Sequence, residues 1–353
     1  MELIADKYKQ TELGFIPEDW KLVEFQEVMD GFSSGQTPYR GRPEFYKGNI
    51  PWITSGELNY NVITDTNEKI TPEGVKDANL KMIPTGTFLF AITGLEAAGT
   101  RGSCAITGIE ATTNQSCMAL YPKKGELLTS YLYHYYVRYG NELAFKFCQG
   151  TKQQSYTAGI AKKLPIILPP SIEEQTAIAT ALSDMDSLIS NLVKLIEKKQ
   201  MIKQGAMQEL LKPKEGWEVK RLPELVWYQE GPGVRNSQFT NSGVKLLNGT
   251  NIENGKLLLD KTNRYISETE ANGWYSHFLV DDGDILIACS GVSIDRFQEK
   301  VTIANSSHLP LCMNTSTMRF KILSESLSKS FFLHFLKSKS FKEQIGGKAT
   351  GSA

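Results

Sequence analysis

A chain of 353 residues, 41% hydrophobic and 22% charged, has ordinary globular composition and is long enough for two or three domains with cores of their own. Lysine plus arginine equal aspartate plus glutamate at 39 each, so there is no global positive field for nucleic acid, and any such affinity must come from local patches or partner chains. The opening MELIADKYKQTELG has no apolar segment of the secretory kind, and no run of about 18 apolar residues could span a bilayer.

In chain order, residues 1–158 carry 15 basic and 18 acidic side chains. Within them, NIPWITSGEL and GTFLFAITG are short apolar runs bounded by turn residues, the pattern of buried strands. GLEAAGTRG, beginning at Gly94, has the glycine spacing of a phosphate loop but reads Thr100-Arg101 where Lys-Ser/Thr is required, so it is read as a strand-to-loop turn. LLTSYLYHYYVRYGNELAF reads as a helix whose aromatic face belongs to a core. Cys104, Cys117, Cys148, Cys289 and Cys312 form no C-x-x-C pair and the four histidines are scattered, which argues against a disulfide framework or a zinc site and fits a reducing cytoplasm. His134 and His334 fall on helical faces and are read as structural.

Residues 159–213 carry 7 basic and 6 acidic side chains. Pro169 and Pro170 stop what precedes them, Ser171 is a good N-cap, and Glu174 completes the pattern of an S-x-x-E capping box. Apolar residues then recur at Ile178, Leu182, Met185, Ile189, Leu192 and Ile196, alternating steps of four and three as in a heptad seam. Leu188, Leu195 and Ile202 widen the stripe. A helix from Ser171 to Leu211 would be about 60 Å long at 1.5 Å per residue. The stripe predicts a helix-helix seam that needs a partner.

Residues 214–353 carry 17 basic and 15 acidic side chains, and they repeat the first region. EDWKLVEFQEV corresponds to EGWEVKRLPEL, pairing Trp20 with Trp217. IPTGTFLFAITG corresponds to VDDGDILIACSG, pairing Gly86 with Gly283 and Gly94 with Gly291. TNQSCMALY corresponds to MNTSTMRFK, pairing Asn114 with Asn314, and SYLYHYY to SFFLHFL, pairing His134 with His334. GTKQQSYTA near Gly150 corresponds to GGKATGSA near Gly347. Ordered matches at a nearly constant offset mean a duplicated domain. The expected fold is therefore α+β: two duplicated mixed α/β domains, 1–158 and 213–353, joined by a long coiled-coil-type spacer helix within 159–212. A counterpart of Ala158–Leu211 after the second copy is expected to be absent.

Enzyme signatures are lacking. No G-x-G-x-x-G opens a helix after a strand, and no G-x-S-x-G or Cys/His dyad appears. LPPS lacks the amide and aromatic of an adenine methyltransferase loop, and DDGDILIACSGVSIDRFQEK lacks the Glu-x-Lys of a nuclease metal site. The chain reads as non-catalytic, with no metal and no cofactor of its own.

With these motifs in place, nearly the whole chain resembles the specificity subunits of type I restriction-modification systems. ELGFIPEDWKLVEFQEV and GQTPYRGRPEFYKGNIPWITSGEL look like the opening of a target recognition domain. LPIILPPSIEEQTAIATALSDMDSLI is similar to the family's P-P-L-x-E-Q-x-x-I-A signature at the start of a spacer helix, and GPGVRNSQFTNSGVKLLNGTNIENGKL looks like a second type of recognition domain. The resemblance implies a non-catalytic scaffold in which each recognition domain reads half of a bipartite duplex DNA site. It implies that the spacer sets half-site spacing and docks modification subunits, which bring S-adenosylmethionine and methylate adenine, while restriction subunits join to cleave. A homodimer through the seam is a further possibility.

Base readout needs arginine, lysine, amide or aromatic side chains on loops. Candidates in the first domain are Tyr39, Arg40, Arg42 and Lys47, then Arg101, then Lys152, Gln153, Gln154 and Tyr156. In the second they are Arg235, Asn236, Gln238, Arg296 and Lys348. The competing readings are a truncated interaction or regulatory protein that occupies modification subunits through its coiled coil, and a self-sufficient nuclease or methyltransferase.

Overall fold

The run Phe88–Ala91 is apolar at every position and buried at every position, as a strand covered on both faces must be. It is the middle of a five-stranded sheet in a computed structural model that describes residues 7–97, 99–152, 154–261 and 263–346. The protein is mixed α/β and divides into two compact units, Met1–Leu192 and Val193–Ala353.

In the first unit the main sheet runs Met29–Ser34, Cys117–Pro122, Phe88–Ala91, Cys104–Thr107, Asn61–Ile63 in spatial order. All neighbours are antiparallel except the last pair. A smaller sheet places Ile50–Ile53 between Glu68–Ile70, antiparallel, and Thr112–Thr113, parallel. The helix Thr129–Phe147 covers the main sheet, and the Tyr136 ring meets Phe88 and Phe90 at centroid distances of 5.5 and 5.2 Å.

The second unit, taken by itself, has the order Val226–Glu230, Thr317–Ile322, Ile285–Ala288, Val301–Ile303, all antiparallel. Its smaller sheet again has a central strand, Val244–Leu247, with one antiparallel neighbour, Tyr265–Ile266, and one parallel neighbour, Leu311–Met313. Equivalent backbone links recur: Asn114 N–H donates to Ile53 O at 2.9 Å, and Asn314 N–H to Leu247 O at 3.1 Å. Gly86 and Gly283 both enter the middle strand with left-handed backbone, φ 84° and 83°, a conformation in which a Cβ is unfavourable.

Besides the fifth strand of the first unit's main sheet, Asn61–Ile63, the units differ in the helices that follow the sheet. SLSKSFFLHFLKSKSFKEQI forms two helices, Lys329–Leu336 and Lys339–Gly346, because the buried Ser338 hydroxyl accepts from Phe341 N–H and starts a new helix. His334 is exposed, so it does not share the buried face on which it was expected. His134 does reach a structural partner: its Nε2 lies 2.9 Å from Ser183 Oγ on the long helix, and burial depresses its pKa below the ordinary value.

That long helix is continuous from Ile172 to Leu210. Ser171 Oγ accepts from Glu174 N–H as expected at 3.2 Å. The Glu174 carboxylate, expected to complete a capping box, instead accepts from Trp20 Nε1 at 3.2 Å. The next residue is the firmest attachment. Gln175, 2% exposed, accepts from Leu128 N–H at 3.0 Å and donates to Glu126 O at 2.9 Å. Leu128 is the N-cap position of Thr129–Phe147 and has no side-chain oxygen to satisfy that helix end. Its counterpart in the second unit is Ser328, whose own hydroxyl caps. Ala179 is buried, and Ile178 packs on the first unit's core.

Gln175→Leu keeps the volume but strands one donor and one acceptor. The expected loss is about 1–3 kcal/mol for each unsatisfied buried group. Denaturant unfolding and faster amide exchange at Leu128 check it; unchanged exchange at Leu128 counts against the clamp.

Candidate nucleic-acid interface

In the first unit the polar loop between Ser34 and Ile50 is pinned by its own aromatic residues. Trp52 Nε1 donates to Gln36 O at 3.1 Å and Tyr46 Oη to Pro38 O at 2.5 Å. The tip meets the end of the short helix Pro72–Asp77, where Tyr39 N–H donates to an Asp77 carboxylate oxygen at 3.3 Å. Gly48 is required by close approach, since a Cβ there would lie 2.0 Å from Ile70 O. Tyr39 is left 67% exposed, and Lys47 is exposed.

The two arginines of this loop are already engaged. Arg40 forms a two-pronged pair with Glu68 at 2.7 and 2.8 Å, its guanidinium over the Tyr46 and Trp52 rings at 4.2 and 5.1 Å. The Arg40 hydrogen bonds hold the Glu68 carboxyl below its usual pKa. Arg42 binds Glu44 at 2.8 Å and lies over Phe45 at 4.6 Å.

A second surface joins the Gly94 turn to the segment before Tyr156. Arg101 Nε donates to Leu95 O at 2.8 Å and its guanidinium to Gln154 Oε1 at 3.4 Å, while Gln154 N–H donates to Glu96 Oε2 at 2.8 Å. Arg101 and Gln154 thus brace two loops. Tyr156, expected to contact DNA, is 3% exposed and packs on Phe90, because its N–H donates to Ile92 O and draws it into the core. It cannot reach a ligand outside the unit. Lys152 is exposed; Gln153 lies outside the described residues.

In the second unit Arg235 and Asn236 are exposed at the start of a turn. Gln238 is not available to a base in this arrangement. Its Oε1 accepts from Arg235 N–H and Tyr275 Oη, both at 3.0 Å, and its Nε2 donates to Glu270 at 2.8 Å. Arg296 is exposed but bound by Glu299 at 2.7 and 2.9 Å. Lys348 lies outside the described residues. Sequence reasoning missed Lys245 and Arg264, which lie over the Tyr265 and Phe239 rings at 5.4 and 5.3 Å. Alternation in GVKLLNG could have found Lys245; nothing local marks Arg264.

Along the long helix, Leu182, Met185, Ile189, Leu192 and Ile196 are 44–60% exposed. Ile178 is the exception, half-buried on the first unit's own core, so the solvent-facing stripe begins one turn later than the apolar spacing suggests. Burial pushes the Cys104 and Cys312 thiols up to about 12, so neither is a ready nucleophile.

A family model described as type I restriction modification DNA specificity domain matches residues 17–204. The MjaIX specificity subunit of a type I restriction enzyme from Methanocaldococcus jannaschii is 28% identical, over 82% of this chain and 70% of that protein. The MjaVIII specificity subunit of the same organism is 26% identical over 96% of this chain and 80% of its own length. Among solved structures, the S subunit of a type I restriction-modification system from M. genitalium is similar with a TM-score of 0.52 and 16% identity, covering 93% of this chain and 79% of that one. A chain from a structure concerned with complex assembly and conformational transition of a type I system reaches 0.57 at 16% identity, covering 94% and 82%.

Because Glu68 titrates below its usual range in the folded protein, the Arg40 pair contributes stability above the unfolded value of 4.5, and that contribution is lost as pH falls through the folded value. Both side chains are more than one-third exposed, so the contribution is small. Arg40→Ala is expected to raise the Glu68 midpoint toward 4.5, read by NMR titration of the carboxyl carbon. A midpoint that does not move removes Arg40 as the cause.

Proposed function

The chain belongs to the type I restriction modification DNA specificity family, and from that premise we propose that each of its two units reads one half of a bipartite duplex DNA site. Its role is specificity and not catalysis. One observation carries the reading. Two units that share four sheet strands in the same order each present a polar loop tied to a short helix, Tyr39 to Asp77 in one and Gln238 to Glu270 in the other. Loops held on a scaffold are where recognition residues gather. In the first unit the reading surface is the Tyr39–Lys47 loop with Lys152; in the second it is Arg235 and Asn236, with Lys245 and Arg264 beside them.

The helix Ile172–Leu210 is the spacer of this proposal. It sets the distance between half-sites and offers the stripe from Leu182 to Ile196 to modification subunits, which carry out the methylation; restriction subunits join that assembly. Supporting this are the unbroken helix and its apolar residues left half in solvent, an arrangement that favours burial against another helix.

Two measurements test the reading in the assembled complex. Deleting seven residues within Leu188–Leu195 removes two helical turns, about 10 Å, and keeps the stripe in phase. The gap between methylated half-sites is expected to shorten by about 3 base pairs at 3.4 Å each. An unchanged gap rejects the spacer role. Arg235→Ala is expected to cost roughly 1–3 kcal/mol of binding to the cognate duplex and to relax selectivity at one base pair. Equal weakening on every sequence would assign Arg235 to a phosphate instead.

A further inference from the structure

We propose that Trp274 is a specificity-determining residue of the second unit, an indole that packs on base edges in the groove where Arg235 and Asn236 supply hydrogen bonds. This rests on the DNA-reading function proposed above and names a contact within it. Trp274 is 86% exposed. A single exposed apolar residue is ordinary; Trp274 is set apart by the fixed turn that carries it and by the loop to which that turn is joined.

The turn that carries Trp274 is fixed on both sides. Before it, Ser267 caps the short helix Glu268–Asn272, and Gly273 N–H returns to Thr269 O at 2.9 Å. After it, Tyr275 N–H donates to Glu270 O at 3.0 Å and Phe278 N–H to Tyr275 O at 2.8 Å. The carbonyls of His277 and Leu279 both accept from the Arg319 guanidinium, at 2.7 and 2.5 Å. Arg319 is itself buried, 3.1 Å from the buried Asp284 and 3.1 Å from Gln229 Oε1. The repeat pairs Arg319 with Ala119 in the first unit. Burying an ion pair is costly in itself, and here it fastens the segment that leads away from Trp274.

The same turn is joined to the loop already proposed to read DNA. Glu270 and Tyr275, which flank Trp274, are the two residues that hold Gln238, and Gln238 in turn holds the Arg235 backbone. Arg264 lies over Phe239, the neighbour of Gln238, and Lys245 over Tyr265, whose carbonyl accepts from Thr240 N–H; of the nearby acids, Glu268 is exposed and Glu270 is occupied by Gln238 and Ser267. An exposed indole on a turn hydrogen-bonded to a loop that carries arginine and amide side chains suits apolar contact with a thymine methyl or a base edge. The first unit offers a parallel at the corresponding junction. There the ring comes from the loop, as Tyr39, rather than from the helix end.

The test uses the full chain assembled with its modification subunits and compares Trp274→Ala with Trp274→Phe. Trp274→Ala is expected to lower affinity for the cognate duplex at least tenfold, to leave binding to unrelated duplex unchanged, and to relax the methylated sequence in one half-site only. Trp274→Phe should restore most of the affinity. Adding cognate duplex should quench tryptophan emission in the wild type more than in Trp274→Phe. Cognate affinity within twofold of wild type in Trp274→Ala overturns the proposal. So does an equal loss on all duplexes, or a loss that tracks failure to bind the modification subunits, which would make the ring a protein contact. If the wild-type complex shows no sequence preference at all, the DNA-reading function fails; if it is selective and Trp274→Ala matches it, only this inference does.

Discussion

A buried amide holds the root of the long helix. Gln175 offers one acceptor and one donor, and the chain places Leu128 N–H and Glu126 O against them. Leu128 N–H stands at the N-cap of Thr129–Phe147, where a helix has donors without partners, and Glu126 O is in the turn just before it. The arrangement therefore satisfies one helix by means of another. Around it, Trp20 binds Glu174, His134 meets Ser183, and Ile178 and Ala179 enter the core. The strand just before, Pro165–Leu168, pairs on one edge with Lys21–Glu24. Toward the helix, its Pro165 and Ile167 carbonyls accept from Tyr135 and Tyr131, each at 2.7 Å. The first turns of the long helix are thus held to the first unit by hydrogen bonds of known partners, as far as Ser183.

The two units show how a scaffold can be kept while its surface changes. The order of four sheet strands, the left-handed glycines and the Asn114 and Asn314 links are common to both. What differs is the interior chemistry next to the loops. Where the first unit has Ala119 and Thr87, the second has Arg319 and Asp284, and Arg319, paired with Asp284, reaches across to the carbonyls of His277 and Leu279. In the first unit the corresponding bracing is aromatic, through Trp52 and Tyr46. A sheet buried on both faces tolerates little change, whereas loops fastened by one or two side chains can be refastened differently. On the proposed function, that is how two readers of one fold would come to prefer different half-sites.

Much of this was legible in the sequence because it depends on periodicity and on residues at fixed offsets. The buried strands Phe88–Ala91 and Ile285–Ala288, the helix Thr129–Phe147 and the long helix all follow from apolar spacing and turn residues. The candidate site was legible as loops and not as side chains. Tyr156 appears in a polar stretch, TKQQSY, yet its burial depends on a link to Ile92, 64 positions earlier in the chain. Arg40 appears as a free cation until Glu68 is brought beside it, and Gln238 as a free amide until Glu270 and Tyr275 are. Ile178 shares the seam's rhythm and is half-buried on the first unit's core all the same, because rhythm records which face is apolar and not which neighbour covers it. Each failure has one cause: a partner distant in sequence decides whether a polar or apolar group is available.

The equality of basic and acidic residues has a counterpart in the loops. Arg40 is held by Glu68, Arg42 by Glu44 and Arg296 by Glu299. A phosphate that approached any of these would have to displace a carboxylate, so the gain from each contact is reduced by the loss of an existing pair. On the proposed function, sequence-independent attraction to the duplex, which grows with the number of phosphates neutralised, gains little from these three arginines. Selectivity on that proposal depends less on charge, because base edges are read by hydrogen bonds and apolar contacts, and Tyr39, Asn236 and Trp274 bring no charge to be neutralised. On the proposed function, a reader built this way discriminates between sequences without holding tightly to any of them, and the firm grip on the duplex falls to the subunits that dock on it.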